Sequence, residues 1–200
     1  MGSSRRERAE ETEQALKTAA RQVFAERGYL NTKITDITAA AGRAAGSFYN
    51  HFAGKEDLLR ALLTDLGAAG DEQAGQAGHN PDFSDPDAVR YHIAAYWHFA
   101  RDHAVVLRAM NQAALVNEEF GHELARFGTE QRLDIADHLD GLVANGMRLP
   151  STADASLAMI FLLAQALFTA VEEGTVELSD AEAVEGLTRF VYRGLTGRDY

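Results

Sequence analysis

The sequence predicts an all-α protein of about nine helices, in which a three-helix N-terminal domain with a helix-turn-helix precedes a larger helical domain. Two observations support this fold class. Apolar residues recur every three to four positions along most of the chain, which is the period of an amphipathic helix rather than of a strand. The only prolines are Pro81, Pro86 and Pro150, so most of the chain is free of the residue that interrupts helices.

The N-terminal helices are recognised by their ends. They are predicted at residues 11–27, 34–41, 45–52 and 55–69. Gly28 stops the first helix, because glycine adopts the left-handed conformation that closes a helix. Thr32 is the expected N-cap of the second helix, since its hydroxyl can accept a backbone N–H, and Gly42 ends that helix.

The C-terminal helices follow a loop that is predicted within residues 67–87, a stretch rich in Gly, Asp and Pro. The chain is predicted to be helical at about residues 87–117, 119–144 and 153–174, and again from residue 180 onward. In a capping box, a Ser or Thr and an acidic residue three positions later satisfy each other's backbone N–H groups. Ser179 with Glu182 matches this pattern fully, and Ser151 with Asp154 resembles it.

Charge is divided unequally along the chain. The net charge is −11, but residues 1–60 carry 10 Lys and Arg against 8 Asp and Glu, whereas residues 61–200 carry 9 against 22. Because phosphate contacts need cationic side chains, any nucleic-acid-binding end is expected in the first part. We therefore predict two domains, residues 1–60 and residues 61–200.

Composition also indicates the compartment. The chain has no cysteine, which excludes disulfides, thiolate metal sites and a cysteine nucleophile. The N-terminus MGSSRRERAEETEQ lacks the apolar region of a secretory signal. The uncharged run at residues 155–171 is shorter than the roughly 20 residues that span a bilayer, so we expect a buried helix there and a cytoplasmic protein.

A glycine-rich corner, AGRAAGSFYNHFAGKEDLL at residues 41–59, joins the second and third predicted helices. Two short helices separated by a three- or four-residue turn have the spacing of a helix-turn-helix, which sets its helices at about 90–120°. Ile37, Ala41 and Phe48 are expected inside the corner. The residues expected outside it are Ala45, Ser47, Asn50 and His51.

The residues around this corner also resemble a known family. Its pattern of G-[FY], a Thr-led helix, D-I, A-G, G-x-[LFI]-Y-x-[HY]-F and K-E-x-L-L is met in order. The matching residues are Gly28-Tyr29, Thr32, Ile34-Thr35-Asp36-Ile37, Ala40-Ala41-Gly42, Gly46, Phe48-Tyr49, His51-Phe52, Lys55-Glu56 and Leu58-Leu59. Residues 11–60 thus resemble the DNA-binding domain of the TetR family of transcriptional regulators, and the remaining residues are similar only in their helical architecture.

The resemblance implies a set of DNA contacts. Phosphate contacts are expected from Thr32, Lys33, Tyr49, His51 and Lys55, whose side chains offer N–H or O–H donors. Ser47 and Asn50 can hydrogen-bond base edges, and Ala45 can contact a thymine methyl group. Arg43 stands where the family most often has a small apolar residue. It either points outward as a further DNA contact, which we favour, or covers the corner with its stem.

Two further features bear on DNA binding. Ala44 stands where Ser or Thr often caps the recognition helix, so a loosely held helix is expected in the absence of DNA. Arg5, Arg6 and Arg8 lie in an N-terminal arm that is expected to be flexible and solvated rather than to enter a minor groove.

The resemblance also implies a homodimeric, ligand-responsive regulator without catalytic activity. The favoured form is a repressor that binds a palindromic operator, dimerises through its last two helices and is released by a small apolar ligand. The residues expected to face that ligand are Trp97, His98, Met110, Asn111, Phe161 and Gln165. Each of them can instead pack the core, and no cofactor is expected.

Two other functions are left open. An all-α enzyme or metalloprotein could be built around Glu119, His122, Asp134 and His138, because Glu119 and His122 have the spacing of a di-iron helix motif. Such a site needs a second Glu-x-x-His, which the sequence lacks, so no metal ligand is assigned. The other alternative is a ligand-sequestering protein whose helix-turn-helix no longer binds DNA.

Overall fold

The computed structural model describes residues 2–74 and 79–200, with side chains described for residues 4–72 and 79–200. Within these ranges the protein is all-helical, as predicted. The elements are α1 (Gly2–Arg27), α2 (Ile34–Ala40), α3 (Ala45–Tyr49), α4 (Lys55–Ala74), α5 (Pro86–Asp102), α6 (Ala104–Val116), α7 (Glu118–Leu133), a 3₁₀ helix (Ala136–Leu139), α8 (Asp140–Ala144), α9 (Ala153–Glu172) and α10 (Asp180–Thr196). The described ranges contain more helices than predicted because turns at His103 and Asp134 divide two long predicted segments.

The chain divides into two compact units. Unit 1 contains the residues up to Gly70 together with His103–Ala125, and unit 2 contains Asp71–Asp102 and Arg126–Tyr200. The sequence predicts a single boundary near residue 60. The structure instead groups α6 and the first half of α7 with the N-terminal helices.

Helix α1 begins at Gly2, where the sequence predicts a flexible arm. Arg6 Nε lies 2.8 Å from Glu10 Oε1 one helical turn later, and such pairs support an exposed helix. The other end of α1 is as predicted, because Gly28 has a φ of 74° and closes the helix.

Unit 1 is built on the apolar face of α1. This helix packs against α2 and α6, and α2 packs against α3. Lys17 is buried on α1, where its ammonium group lies 3.0 Å from Asp65 Oδ1 and 3.2 Å from Glu13 Oε1. Because a buried unpaired ammonium is strongly unfavourable, the pair with Asp65 holds α4 against α1.

Helix α5 is the centre of unit 2 and packs against α10 and α9. Trp97 on α5 is fully buried, and its indole N–H donates to Asp180 Oδ1 at 2.9 Å. Arg101, one turn later, pairs with both Asp180 and Glu172. The Trp97 hydrogen bond and then Arg101 lower the pKa of Asp180. These contacts join the end of α9 to the start of α10.

Helix α9 is not the buried helix that the sequence predicts. It is long and apolar enough to cross a bilayer by length and composition, yet only 22% of its apolar stretch is buried. Leu162 is 63% exposed and Met159 49% exposed, and Phe190 on α10 is 68% exposed. The buried side of α9 is formed by Ser156, Leu157, Ala164 and Phe168. The apolar composition therefore exceeds what unit 2 covers by itself.

Of the two predicted capping boxes, the one at α10 forms as predicted and the one at α9 does not. Ser179 and Glu182 form the complete box at the start of α10. At the start of α9 the N-cap is Thr152 rather than Ser151, and the Thr152 hydroxyl accepts the backbone N–H of Ala155 at 3.2 Å. The cap lies one residue later than predicted.

Thr152→Ala is expected to lower the free energy of unfolding by about 1 kcal/mol, because the first turn of α9 loses its side-chain acceptor. Ser151→Ala is the matched control and should change stability by less than about 0.5 kcal/mol. Urea denaturation followed by circular dichroism measures both values. An effect of Ser151→Ala as large as that of Thr152→Ala would contradict this cap.

Candidate nucleic-acid interface

The corner between α2 and α3 is held by backbone and core contacts. Gly42 has a φ of 62°, which glycine adopts without steric penalty. Its N–H donates to Ala39 O at 3.1 Å, and the next N–H, from Arg43, donates to Thr38 O at 2.9 Å. Phe48 is fully buried and contacts the Phe52 ring at a centroid distance of 5.5 Å. The turn and the aromatic pair together fix the direction in which α3 points.

One surface of α3 carries most of the residues that the sequence predicts to contact DNA. Ala45, Tyr49 and Asn50 are exposed, and Ser47 and His51 are half-buried. Tyr49 is 61% exposed although it follows the fully buried Phe48. Ala44 is the N-cap of α3, and its methyl side chain cannot accept a backbone N–H. The helix is five residues long, so its position depends on the packing of Phe48.

Arg43 combines the two orientations that the sequence leaves open. Its side chain is 36% exposed, and Nη2 lies 3.5 Å from Glu11 Oε1 on α1. Its Nε is buried and has no hydrogen-bond partner among the described residues. The stem thus covers the corner while the end of the guanidinium reaches the surface. Its DNA contact stays a prediction.

Thr32 and Lys55 are turned toward the interior of unit 1. Lys55 Nζ donates to Tyr29 O at 2.9 Å and to Thr32 O at 2.7 Å. Thr32 is buried, and its hydroxyl donates to Gly28 O at 2.7 Å instead of capping α2. The N-cap of α2 is the exposed Lys33, whose N–H donates to Asp36 Oδ2 at 2.9 Å. Lys33 is therefore the more accessible cation, and Lys55 keeps one N–H for a further acceptor.

Tyr29 is the centre of this hydrogen-bond cluster. Its hydroxyl donates to Glu56 Oε1 at 2.7 Å, its N–H donates to Gln112 Oε1 at 2.8 Å, and Lys55 Nζ lies 4.3 Å from the ring centroid. We call Tyr29, Lys55, Glu56 and Gln112 the Tyr29 cluster. It joins the α1–α2 loop to α4 and to α6.

The electrostatics of the Tyr29 cluster favour one charge state. Burial, and then the bond to Glu56, raise the pKa of Tyr29 well above its ordinary value. Burial opposes ionisation of Glu56, but the bond from Tyr29 and the charge of Lys55 outweigh it and lower the Glu56 pKa. Burial also lowers the pKa of Lys55. The stable arrangement at neutral pH is a protonated tyrosine between a carboxylate and an ammonium group.

Glu56 and Gln112 contribute to this region although neither is among the site residues that the sequence predicts. Glu56 is part of the K-E-x-L-L motif of the family pattern, and this motif is the signal that could have indicated it. Gln112 lies far along the chain on α6, and no local pattern connects it to Tyr29. A small pocket of about 70 Å³ borders the contact and is lined in part by Phe24, Gly28 and Arg108.

Comparison with known proteins places a likeness in the N-terminal segment. Residues 16–62 match the family model described as bacterial regulatory proteins, tetR family. The HTH-type transcriptional repressor DhaR of Mycobacterium sp. (strain GP1) is 51% identical over 49 residues, which is 22% of this chain and 25% of that repressor. The sequence match thus spans about a quarter of the length of DhaR.

Solved structures extend the likeness beyond the N-terminal segment to the fold. The fatty acid degradation regulator FadR from Bacillus halodurans superposes with a TM-score of 0.76 at 22% identity, over 94% of this chain and 97% of that chain. FadR from Bacillus subtilis, solved in complex with stearoyl-CoA, gives a TM-score of 0.73 at 16% identity, over 90% of this chain and 98% of that chain. At these identities the likeness shows the fold.

The residues predicted to face a ligand lie in different environments. Trp97 and Met110 are fully buried, and Phe161 is half-buried beside Tyr96 at a ring distance of 6.2 Å. The three polar residues of the set, His98, Asn111 and Gln165, are exposed. The indole N–H of Trp97 already donates to Asp180, so this donor serves a contact within the fold. A role in ligand binding stays a prediction for all six.

The residues named for the metalloprotein alternative have other partners. Glu119 Oε1 lies 3.9 Å from Arg60 Nη2 in unit 1, and His122 is exposed. In unit 2, His138 hydrogen-bonds His79 and Asp137. His138 thus contacts residues outside the set named for the metalloprotein alternative.

Tyr29→Phe is expected to lower the free energy of unfolding by about 1–2 kcal/mol at pH 7, since a hydrogen bond to a half-buried carboxylate is lost. The folded-state pKa of Glu56 lies below its ordinary value of 4.5. The stabilisation is therefore complete above pH 4.5 and is lost as the pH falls through the folded-state pKa.

Denaturation of wild type and Tyr29→Phe between pH 3 and pH 7 measures this dependence. Tyr49→Phe is the matched control, because the Tyr49 side chain is largely exposed, and it should leave stability unchanged at every pH. A difference between wild type and Tyr29→Phe that stays constant down to pH 3 would contradict the role of Glu56.

Proposed function

We propose that the protein is a dimeric, ligand-responsive transcriptional repressor that binds a palindromic operator through α2, the Gly42 turn and α3. The observation that carries this proposal is the exposed polar surface of α3 on a corner fixed by Phe48 and Gly42, within the segment that matches the tetR family. Support also comes from DhaR, a relative that is named a transcriptional repressor. We propose that the protein acts in the cytoplasm, and we assign it no catalytic reaction.

The proposed contacts divide into base readout and phosphate binding. Ser47 and Asn50 offer hydrogen bonds to base edges, and Ala45 offers a methyl contact. Tyr49, His51 and Lys33 offer N–H or O–H donors to phosphate oxygens on either side of the groove. Arg43 adds a cationic edge beside the turn.

Thr32 and Lys55 have a second proposed task. The Thr32 hydroxyl donates to Gly28 O, and the Lys55 ammonium donates to the carbonyls of Tyr29 and Thr32. These hydrogen bonds hold the α1–α2 loop. The third N–H of the Lys55 ammonium remains available for a phosphate. We therefore propose that Lys55 both positions the loop and contacts DNA, whereas Thr32 acts mainly on the position of α2.

The exposed apolar side chains of α9 and α10 support dimerisation through these helices. Leu162 and Phe190 are each more than 60% exposed, and exposed apolar patches of this kind mark association surfaces. A two-fold dimer repeats α3 on a second half-site about one helical turn of DNA away, roughly 34 Å. A palindromic operator is the target that such symmetry favours.

The effector is proposed to act by shifting a two-state equilibrium. A ligand changes DNA affinity only if it binds the two states with different affinity. Within unit 1, the Gln112 contact to Tyr29 N connects α6 to the loop that precedes α2. We propose this contact as the step by which a displacement of α6 reaches the DNA-binding corner.

An effector with an apolar part is the proposed ligand class. Bacillus subtilis FadR, which shares this fold, was solved with stearoyl-CoA. The candidate ligand residues Trp97, Met110 and Phe161 are apolar, and His98, Asn111 and Gln165 supply polar groups beside them in the sequence. Most small-molecule sites combine an apolar lining with a few polar groups.

Lys33→Ala is expected to weaken binding to all DNA sequences and to reduce the magnitude of the salt slope of log K by about 1, because one phosphate contact is lost. Asn50→Ala is expected to change preference at particular base pairs, by about 1–3 kcal/mol at each position it contacts. Selection of bound genomic fragments followed by salt titration of the best fragment measures both effects.

Arg148→Ala removes an exposed cation from unit 2 and serves as the control for the change in net charge. It should leave affinity and preference unchanged. Wild-type protein that selects no preferred fragment at moderate salt would contradict the regulator proposal and favour the ligand-sequestering alternative. Equal loss on all sequences for Asn50→Ala would remove Asn50 from the readout set.

Phe190→Asp is expected to convert the dimer to a monomer, because a carboxylate would be buried in an apolar interface without a partner. Leu30→Asp is the matched control, since Leu30 is an exposed apolar residue of unit 1 at 51% exposure. Sedimentation velocity gives the molecular mass of each. A Phe190→Asp protein that stays dimeric would exclude Phe190 from the interface.

A further inference from the structure

Three histidines from three segments meet in unit 2. His79 lies in the loop before α5, His92 lies on α5 and His138 lies in the 3₁₀ helix. Their potential ligand atoms all fall within 4.8 Å of one another. The ring centroids are 4.8 Å to 5.2 Å apart. Imidazole groups at this spacing form the donor set that zinc, copper, nickel and iron accept.

Two of the three rings have the outer hydrogen bonds typical of metal ligands. His92 Nδ1 donates to Ala88 O at 2.9 Å, so the proton is on Nδ1 and the lone pair is on Nε2. That Nε2 is buried and has no hydrogen-bond partner among the described residues. His138 Nδ1 lies 2.7 Å from Asp137 Oδ1. Metal-bound histidines almost always donate their other N–H to a carbonyl or a carboxylate in this way.

The third contact joins His79 to His138. Their Nε2 atoms lie 2.8 Å apart, and His138 donates its Nδ1 proton to Asp137, so His79 donates to the lone pair on His138 Nε2. Tetrahedral Zn²⁺ with bonds of about 2.0–2.1 Å separates two ligand nitrogens by about 3.3 Å. Binding requires this pair to separate by roughly half an ångström, after the His79 proton moves from Nε2 to Nδ1, which leaves a lone pair on Nε2. His79 is exposed and can make that adjustment.

The segment that carries His79 is ordered by its own hydrogen bonds. Asn80 Nδ2 donates to Asp85 Oδ2 at 3.0 Å, and Ser84 N donates to Asp82 Oδ1 at 2.9 Å. Phe83 N donates to the backbone carbonyl of His138 at 3.3 Å. The loop is thereby tied to the element that carries the second ligand, which reduces the entropy lost when an ion binds.

The histidine cluster is bordered by an apolar ring on one side and is open to solvent on the other. Phe83 is 3% exposed and contacts the rings of His92 and His138 at 5.0 Å and 5.3 Å. The exposed His79 leaves the cluster accessible to solvent. Three protein ligands and an accessible fourth position are the arrangement of an open zinc site.

We propose that His79, His92 and His138 bind one transition-metal ion, with Zn²⁺ as the ion and water as the fourth ligand. Asp137 is a positioning residue that orients His138. The bound ion cross-links the loop, α5 and the 3₁₀ helix of unit 2. Since α5 packs against α9 and α10, the ion stabilises the helices that carry the exposed apolar side chains. This inference is independent of DNA binding.

The test uses untagged full-length protein, freed of metal with a chelator and titrated with zinc chloride in competition with a chromophoric chelator. One equivalent of Zn²⁺ is expected to bind, and excess Zn²⁺ should raise the melting temperature by several degrees. His79→Ala, a change at an exposed residue, should weaken binding by at least about tenfold. Asp137→Ala should weaken it by about 10–100-fold, as for other outer-shell carboxylates.

His122→Ala removes an exposed histidine of unit 1 and is the matched control, with wild-type affinity expected. His92→Gln gives a second ligand variant, and circular dichroism confirms that each variant is folded. Co²⁺ substitution should give the strong visible absorption of a four-coordinate ion. Failure of wild type to bind one equivalent, wild-type affinity in His79→Ala and His92→Gln, or weak six-coordinate Co²⁺ absorption would each overturn the proposal.

Discussion

The loop between α1 and α2 places two carbonyl groups, those of Tyr29 and Thr32, in a partly buried setting, and the position of the corner between α2 and α3 depends on which donors bind them. Lys55 supplies both hydrogen bonds from a single ammonium group. A buried carbonyl without a donor is unfavourable, and an ammonium group satisfies both without ordering a water molecule. Tyr29 completes the arrangement because its hydroxyl binds Glu56 and its N–H binds Gln112. One ionised pair thus fixes the loop from which α2 starts.

The same constraint explains how a five-residue helix can keep a fixed position. Such a short helix is not stable in isolation, because most of its backbone groups have no intrahelical partner. Helix α3 also lacks a side-chain cap at Ala44. Its order therefore comes from Phe48, which is buried in the corner, and from the loop that holds α2. Specific DNA contacts by Asn50 or Ser47 would depend on core packing as much as on the residues that touch the bases.

The parts of the fold that the sequence predicts are those specified by neighbours along the chain. Gly28 and Gly42 end helices through their own conformations, Ser179 and Glu182 lie one turn apart, and Phe48 follows a local apolar period. Charge alone could not indicate that Lys55 turns inward, because its carbonyl acceptors are set by the fold. The histidine cluster escaped prediction for a related reason. Its members lie in different elements, and no spacing rule connects them.

The apolar face of α9 was misassigned for another physical reason. Hydrophobicity along one chain predicts burial without specifying which surface provides it. Leu162 and Met159 are apolar in the sequence and exposed in the single chain. Similarly, the break at His103 lies between two apolar-periodic segments that can be read as one helix. The candidate DNA-contact residues rest on the family pattern that covers them, and their role stays a prediction.

Unit 1 is formed by two separate segments of the chain, which has a consequence for biosynthesis. The backbone leaves unit 1 after Gly70 and returns to it at His103. A ribosome that has released only the helix-turn-helix has not yet made Gln112, so the Tyr29 N–H has no acceptor and α1 lacks the helix α6 that packs against it. The N-terminal helices thus reach their final arrangement only after more than half of the chain has been synthesised. A nascent fragment that ends before α6 would therefore carry α2 and α3 on a loop that is not yet held in place.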